Sequence, residues 1–313
     1  MTVTAGAPAT IEQTRETLAA ADTTGTFHAR HVGGGVPGRR RGRSGRAAAR
    51  RPPQEHPMSP TPAPRLAEMT WPQVEERMAA GARTVLFAAG STEQHGPHLP
   101  LVTDTMLGDA LADRVAARLP GVILAPTVPF GVSTHHMAFP GTVTLDEATF
   151  KAVILRYCES LAAHGFETVL VLPSHGGNFA PLGELFAETQ GRVGGARLVP
   201  YTDLQEFVRV LADTGQERGF PPEVSGSHAG EAETSIVLAL RPDLVDMGRA
   251  AAGFGGRFDE PTARTLFEHG TRALSEIGVL GDPRPATARA GEDYLARLTD
   301  LLTGFYEPYV SGS

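Results

Sequence analysis

The sequence predicts a single α/β domain with three layers, α/β/α, in which helices cover both faces of a mostly parallel sheet. Apolar runs alternate along the chain with helical patterns, and no internal repeat is visible. The runs at residues 84–89 and 168–172 are almost wholly apolar, which is typical of strands buried on both faces. Roughly 250 residues remain after a polar first segment, and this length suits one domain.

The elements can be assigned in order from the periodicity of the apolar residues. Strands are predicted at residues 84–89, 122–125, 168–172 and 198–199. Helices are predicted at residues 104–118, from residue 146 onwards, directly after residue 178 and at residues 291–305. Asn178 is suited to cap the third of these helices. The pattern at residues 236–240 leaves helix and strand both open.

Residues 1–62 are predicted to be a disordered extension rich in Arg, Pro, Gly and Ala, followed by the domain at residues 63–313. Residues 23–54 contain eight Arg and no acidic residue. The first 57 residues carry a net charge of +5 and the remainder −12. An acidic body argues against nucleic acid as the main partner, although a nucleic-acid-binding arm in the extension remains an alternative.

The composition also bears on the compartment. No run approaches the roughly 18 apolar residues of a membrane span, so no membrane partner is expected. The only cysteine, Cys158, excludes an internal disulfide and fits a reducing compartment, so we expect a cytoplasmic protein.

The first polar cluster follows the first predicted strand on a loop rich in Gly and Pro. It contains Glu93, His95, His98 and Asp104. In an extended loop, residues i and i+2 point the same way, so Glu93 and His95 converge while Gln94 turns aside. Carboxylate and imidazole groups together suit Zn²⁺, Mn²⁺ or Fe²⁺. A capping loop is the alternative, and His98 is equally well explained as a buried structural histidine.

A second cluster, His175-Gly176-Gly177-Asn178, follows the buried strand at residues 168–172. It suits either a ligand histidine or a tight strand-to-helix turn with a buried histidine. Because ligands bind beyond the carboxyl ends of parallel strands, we expect the first and second clusters to meet at one edge of the sheet.

A third cluster contains His228, Glu231, Glu233 and Ser235. If Glu231 begins a helix, Glu231 and Ser235 share a face and Glu233 points elsewhere. The histidine and the two carboxylates could supply a proton shuttle and a metal ligand. The alternative is an ordinary acidic first turn that complements the helix dipole.

Together, these segments resemble the creatininase (creatinine amidohydrolase) family. The resemblance extends over about residues 69–302 and also includes residues 139–142 and 278–283. It implies a three-layer α/β fold, two divalent metal ions per chain and hydrolysis of cyclic amides, formamides or peptide-like bonds. Members of the family are commonly homohexamers, so a homo-oligomer, with a hexamer as the family state, is expected.

The resemblance also implies roles for individual residues. Glu93 and His175 correspond to ligands of one metal ion and His95 to a ligand of the other, while Asp104 corresponds to the bridging carboxylate. His228 matches the catalytic, substrate-contacting histidine of the family.

The chain departs from creatininase at Gly177, where creatininase has a glutamate that binds the second metal ion. Creatininase has an apolar residue at the place of Glu231. We therefore predict that Glu231 supplies the missing carboxylate and that Glu233 lies behind the ligands, as a catalytic group that holds His228 or passes a proton. A second departure concerns substrate, because creatininase packs its ligand with tryptophans and the only tryptophan here is Trp71.

The loop at residues 127–142 is predicted to cover the site and help to select the substrate. Ser133, His135 and His136 are its candidate substrate-binding residues. For His135 and His136, plain packing is an equally good explanation.

The sequence thus predicts a metal-dependent amidohydrolase that cleaves a C–N amide-type bond of a small molecule through a metal-activated water. A peptidase acting on the mycofactocin precursor peptide is an alternative within the family. It ranks lower because we expect His at the place of Glu231 in that enzyme. A non-catalytic scaffold that binds a metal ion or another ligand is the alternative from another class.

Overall fold

The computed structural model describes residues 62–310. The predicted extension therefore lies outside the described residues except for its last position, and its boundary stays a prediction. Among the described residues, no helix has the length and apolar character needed to cross a bilayer.

A five-stranded sheet forms the middle layer, in the order β2-β1-β3-β5-β4. Strands β2, β1, β3 and β5 are parallel to one another, whereas β4, at the edge, runs antiparallel to β5. Every residue of β1, β2 and β3 is buried, which explains their unbroken apolar runs. The strands are β1 (Thr84–Ala89), β2 (Val122–Leu124), β3 (Thr168–Pro173), β4 (Arg192–Val193) and β5 (Ala196–Pro200).

Nine α-helices surround this sheet within residues 62–310. Two of the predicted helices begin where expected, since α2 begins one residue before Asp104 and α3 begins directly after Asp146. The helices are α1 (Trp71–Ala79), α2 (Thr103–Ala116), α3 (Glu147–Ala163), α4 (Phe179–Glu188), α5 (Leu204–Glu217), α6 (Pro222–Ser225), α7 (Glu231–Leu240), α8 (Glu260–His269) and α9 (Ala288–Val310).

Alternate residues of the central strands point to opposite faces of the sheet and build two separate cores. Leu86 and Leu170 belong to a core that includes residues of α2, α7 and α9. Val85 and Val169 belong to a second core with residues of α1, α3 and α4, which also contains the buried Cys158. The predicted three-layer α/β domain is confirmed.

Two details of the prediction need correction or completion. Asn178 precedes α4, but its side chain makes no capping hydrogen bond. Instead, its amide nitrogen donates to the Ala89 and Gly90 carbonyls at 3.0 Å, and its oxygen accepts from the Val132 N–H at 3.1 Å. These bonds join the loops after β1 and β3. The ambiguous residues 236–240 form the second half of α7.

The parallel register of β1 and β3 positions the polar clusters. Ala89, the last residue of β1, lies opposite Pro173, the last residue of β3. The first and second clusters follow these two residues, so the sheet delivers both to the same edge, as predicted.

Candidate active site

Four predicted metal ligands meet beyond the ends of β1 and β3. Glu93 and His95 lie on the loop after β1, Asp104 in the first turn of α2, and His175 in the turn after β3. All four are buried, with exposed fractions of 4% or less. Charged groups withdrawn from water in this way need a compensating charge or a bound ion.

One group of donors consists of Glu93, Asp104 and His175. The Nε2 atom of His175 lies 3.0 Å from the Val132 carbonyl oxygen, so it carries the proton and donates there. In the neutral ring, the Nδ1 atom then presents a lone pair. It lies 3.3 Å from Glu93 Oε2 and 3.1 Å from Asp104 Oδ2. Three electron-rich atoms thus face one another.

A second group lies around His95. Its Nδ1 atom lies 3.2 Å from the Glu93 carbonyl oxygen and donates to it, so in the neutral ring the lone pair lies on Nε2. This Nε2 lies 3.3 Å from Asp104 Oδ1 and 3.7 Å from Glu233 Oε2. Asp104 therefore presents one carboxylate oxygen to each group, as a bridging ligand must.

The donor set fits divalent metal ions. Glu93 Oε1, His95 Nε2 and Asp104 Oδ2 are buried and have no hydrogen-bond partner. Ligands about 2.1 Å from a tetrahedral zinc ion lie roughly 3.4 Å from one another. The separations within the two groups span 3.1 to 3.7 Å, so each group has the spacing of a coordination shell.

The electrostatics of the site also favour cations. Burial acts to lower the pKa of His95, but the neighbouring carboxylates of Asp104, Glu233 and Glu93 together outweigh it and raise the pKa to about 10. Burial is likewise outweighed at His175, where the Glu93 and Asp104 carboxylates together raise the pKa well above its ordinary value. The carboxylates therefore create a negative potential that a bound cation would neutralise.

The two glutamates of the third cluster are placed the other way round from the prediction. Glu231 does not reach the His95 group: its Oε1 accepts from Ser235 Oγ at 2.8 Å and its Oε2 from the Tyr294 hydroxyl at 2.6 Å. Glu231 is fully buried between α7 and α9. As predicted, Glu231 shares a face of α7 with Ser235, but the side chains on that face do not reach the His95 group. The carboxylate beside His95 belongs to Glu233.

The turn before α7 explains this placement. Ala229 adopts a φ of 53°, in the left-handed region that a residue with a side chain enters only at a cost. In this conformation its N–H donates to Glu233 Oε2 at 2.5 Å. The bond holds the carboxylate beside His95, and backbone strain of this kind is common at functional sites.

Gly177 cannot be replaced by a ligand-bearing residue without moving the backbone. A Cβ atom at this position would lie 2.1 Å from the Val132 carbonyl oxygen. The glutamate that creatininase carries at this position therefore has no room in this chain. A carboxylate for the second group has to come from another element, and Glu233 is the one within reach.

The predicted catalytic histidine lies between the two groups. His228 Nε2 donates to the Gln94 carbonyl oxygen at 2.7 Å, so its lone pair lies on Nδ1, 3.7 Å from Glu93 Oε1. Burial is the main cause that lowers the pKa of His228 to about 3, and the charge of the nearby His95 lowers it further. The ring is therefore neutral, with an unprotonated nitrogen facing the cluster.

Of the three candidate substrate-binding residues in the 127–142 loop, two line the cavity and one does not. His135 and His136 line the cavity, and His136 Nε2 lies 3.2 Å from Glu93 Oε1. Ser133 is fully buried behind His175, where its hydroxyl pairs with Ser91 Oγ at 2.6 Å and with His175 Nε2 at 3.3 Å. Ser133 thus supports a ligand histidine and does not line the cavity.

Glu93, Asp104, His175, His228 and Glu233 line a cavity of about 220 Å³. Much of the remaining wall is apolar and is built from elements that the sequence did not connect with the site. It comprises Phe179, Leu204, Phe207, Val208 and Leu211 from α4 and α5, Ile236 from α7, and Phe258, Ala263, Leu266 and Phe267 in and before α8. The cavity therefore pairs a polar reaction centre with an extended apolar surface.

A family model described as creatinine amidohydrolase matches residues 67–306. The chain belongs to the creatininase family. It is accordingly a hydrolase of a family that acts on C–N bonds, as the sequence predicted.

Two relatives and one solved structure show the breadth of the family. The mycofactocin precursor peptide peptidase of Mycobacterium ulcerans is 34% identical over 228 residues, which cover 69% of this chain and 82% of the relative. The creatinine amidohydrolase of Pseudomonas putida is 31% identical over 200 residues, 59% of this chain and 74% of the relative. The Zn–Zn form of a mutant creatininase superposes with a TM-score of 0.66 at 25% identity, covering 80% of this chain and 99% of that one.

Proposed function

We propose that this creatininase-family hydrolase holds two divalent metal ions and opens a C–N amide-type bond of a small molecule. The observation that carries the proposal is Asp104, whose two carboxylate oxygens separately face His95 Nε2 at 3.3 Å and His175 Nδ1 at 3.1 Å. The other nitrogen of each ring bonds to a backbone carbonyl, so in the neutral rings these two nitrogens would be free to bind a cation.

In this proposal Glu93, His175 and Asp104 would hold one ion, and His95, Glu233 and Asp104 would hold the other. When bound, the ions supply Lewis acidity that polarises the scissile carbonyl and generates a nucleophile from water near neutral pH. Zinc is the first choice because of the donor types and the zinc-containing relative, while Mn²⁺ and Fe²⁺ suit the same donors.

His228 is proposed to move the proton. Its Nδ1 atom is unprotonated, faces the cluster and lies in the cavity wall. It can therefore accept a proton during attack on the carbonyl and deliver it to the leaving nitrogen. The Gln94 carbonyl, which accepts from Nε2, keeps the ring oriented for both steps. His135 and His136 line the same cavity and are proposed to contact substrate oxygens.

A second candidate function is the hydrolysis of a peptide. The apolar cavity wall favours a substrate with an aliphatic or aromatic group beside the scissile amide, which a peptide side chain would provide. The M. ulcerans relative is named as a precursor peptide peptidase. A lactam or formamide with an apolar substituent would fill the same space. The two candidate functions therefore differ in whether the scissile amide belongs to a small molecule or to a peptide chain.

We further propose a cytoplasmic homo-oligomer, with the hexamer of the family as the expected state. Large apolar side chains on the surface support association, among them Trp71, which is 77% exposed, and Phe267, which is 56% exposed. The free, buried Cys158 is compatible with a reducing compartment.

The test is a substrate screen on three preparations: the protein as purified, after chelation, and after reloading with Zn²⁺, Mn²⁺ or Fe²⁺. Lactams, formamides and short peptides are supplied in matched pairs with an apolar or a charged substituent. We expect turnover that chelation removes and metal restores, with the apolar member of each pair preferred. Turnover that persists after complete chelation would exclude the metal mechanism, and cleavage confined to peptides would select the second candidate.

A further inference from the structure

Gln94 lies between two proposed metal ligands, yet its side chain points into an enclosed space beside them. Only 4% of the residue is exposed. Its Oε1 atom accepts a hydrogen bond from the Gly96 N–H at 2.9 Å. Because a backbone N–H can only donate, this bond identifies the oxygen end of the carboxamide, and the amide nitrogen must face the other way.

The amide nitrogen of Gln94 lies among three polar atoms. It is 2.7 Å from His136 Nδ1, 3.0 Å from His228 Nε2 and 3.2 Å from the Gly278 carbonyl oxygen. The nitrogen carries two hydrogens and accepts none. Since His228 Nε2 already donates to the Gln94 carbonyl oxygen, it offers the amide no lone pair. The two hydrogens therefore go to His136 and Gly278.

This arrangement determines where two histidines carry their protons. His136 Nδ1 accepts from the Gln94 amide, while the Thr271 hydroxyl, 3.0 Å from the same nitrogen, donates to the His135 carbonyl oxygen at 2.9 Å. The proton of His136 therefore lies on Nε2, the nitrogen that faces Glu93 Oε1 at 3.2 Å. His228 carries its proton on Nε2, so its lone pair faces Glu93 Oε1 at 3.7 Å. Beside the same carboxylate oxygen, one histidine presents a donor and the other an acceptor.

We infer that Gln94 is a positioning residue for the hydrolysis, which fixes the tautomers of His136 through its carboxamide and of His228 through its carbonyl. The hydrogen bonds of Gln94 form without any substrate, whereas the consequence for turnover rests on the proposed function. A neutral His228 with its lone pair on Nδ1 is the form that can take up a proton beside the reacting amide.

Gly278 supports the inference independently. Its φ is 80°, and a Cβ atom there would lie 2.0 Å from Gln94 Oε1. A side chain at this position would therefore displace the carboxamide. The glycine meets two requirements at once, because it permits the left-handed backbone and leaves the space that Gln94 occupies.

The test replaces the donor by an acceptor of the same shape, Gln94→Glu. The full chain, labelled with ¹⁵N-histidine and loaded with diamagnetic Zn²⁺, is examined by NMR, and signals are assigned with His136→Asn and His228→Asn. In the unaltered protein we expect the proton of both histidines on Nε2. In Gln94→Glu the proton of His136 should move to Nδ1, facing the new carboxylate, and kcat should fall about 10- to 100-fold with KM little changed.

Two further variants keep the result interpretable. Gln94→Met removes the donor without adding a charge or a possible metal ligand, and should leave His136 without a single preferred tautomer. Asn178→Ser removes another buried carboxamide that bonds only to backbone groups. It should lower the melting temperature and leave both histidine signals unchanged.

An unchanged His136 tautomer in Gln94→Glu and Gln94→Met, or the same signal changes in Asn178→Ser, would overturn the inference. If the unaltered protein proves inactive towards amides, the proposed function fails. The NMR result still decides whether Gln94 sets the tautomers.

Discussion

Asp104→Asn is expected to lower turnover by at least about a thousandfold, because several kcal/mol of metal-dependent stabilisation disappear and each 1.36 kcal/mol is a factor of ten. Within residues 62–310, Asp104 is the residue whose two side-chain oxygens face His95 and His175 separately. An asparagine keeps the shape but has one neutral oxygen, so it cannot bridge two cations. Metal content should fall to one ion per chain or less, measured by elemental analysis beside kcat/KM.

Asp113→Asn is the matched control for this substitution. Asp113 lies on the same helix, α2, but it is partly exposed and pairs with Arg65 on the outer surface. Its replacement should leave metal content and turnover unchanged, since an exposed ion pair contributes little. An Asp104→Asn protein that keeps two ions and full turnover would show that the carboxylate is a structural group.

Glu233→Gln and Glu231→Gln form the second decisive pair, because the two glutamates lie two residues apart and have opposite surroundings. Glu233 Oε2 lies 3.7 Å from His95 Nε2 in the second donor group. Glu233→Gln should lose the ion held by His95 and lower turnover by about two to three decades, within the several kcal/mol that a metal ion supplies. The melting temperature of the metal-free protein should change little.

Glu231→Gln should show the opposite pattern. The charged carboxylate accepts hydrogen bonds from Ser235 and Tyr294, and bonds to a charged group contribute about 1.5–3 kcal/mol. Loss of about 2 kcal/mol lowers the melting temperature of a domain of this size by roughly 4–8 °C. Both metal ions and most of the turnover should remain. If Glu231→Gln loses a metal ion while Glu233→Gln keeps both, the original sequence-based assignment is right and the structural one is wrong.

The fold and the convergence of four proposed metal ligands could be predicted from the sequence for definite reasons. The strands β1 and β3 are buried on both faces, so their apolar runs are unambiguous. Parallel strands deliver whatever follows them to one edge of the sheet. The convergence of Glu93 and His175 therefore follows from the order of elements and needs no long-range contact information.

The sequence could not predict in the same way that Glu233, and not Glu231, lies beside His95. Residues i and i+2 of a helix point in nearly opposite directions, so the face that meets the cluster depends on how the chain enters α7. That entry is set by the left-handed Ala229, a conformation that an alanine seldom adopts and that no sequence pattern signals. The Tyr294 partner of Glu231 is 63 residues further along the chain.

Gln94 and the apolar cavity wall were missed for related reasons. The alternation of side chains along the loop correctly predicts that Gln94 points away from Glu93 and His95. It does not predict which residues surround the Gln94 side chain. His136, His228 and Gly278 reach it from three distant segments. The cavity wall is likewise formed by α5 and α8, whose apolar residues look like ordinary core positions in the sequence.

The metal content per chain shows whether the cluster around Asp104 holds two divalent metal ions. The full chain is purified without chelators, and its metals are quantified by elemental analysis against protein concentration. The account predicts close to two ions per chain, and about two after chelation and reloading with Zn²⁺, Mn²⁺ or Fe²⁺. A content near zero that none of these ions restores would contradict it.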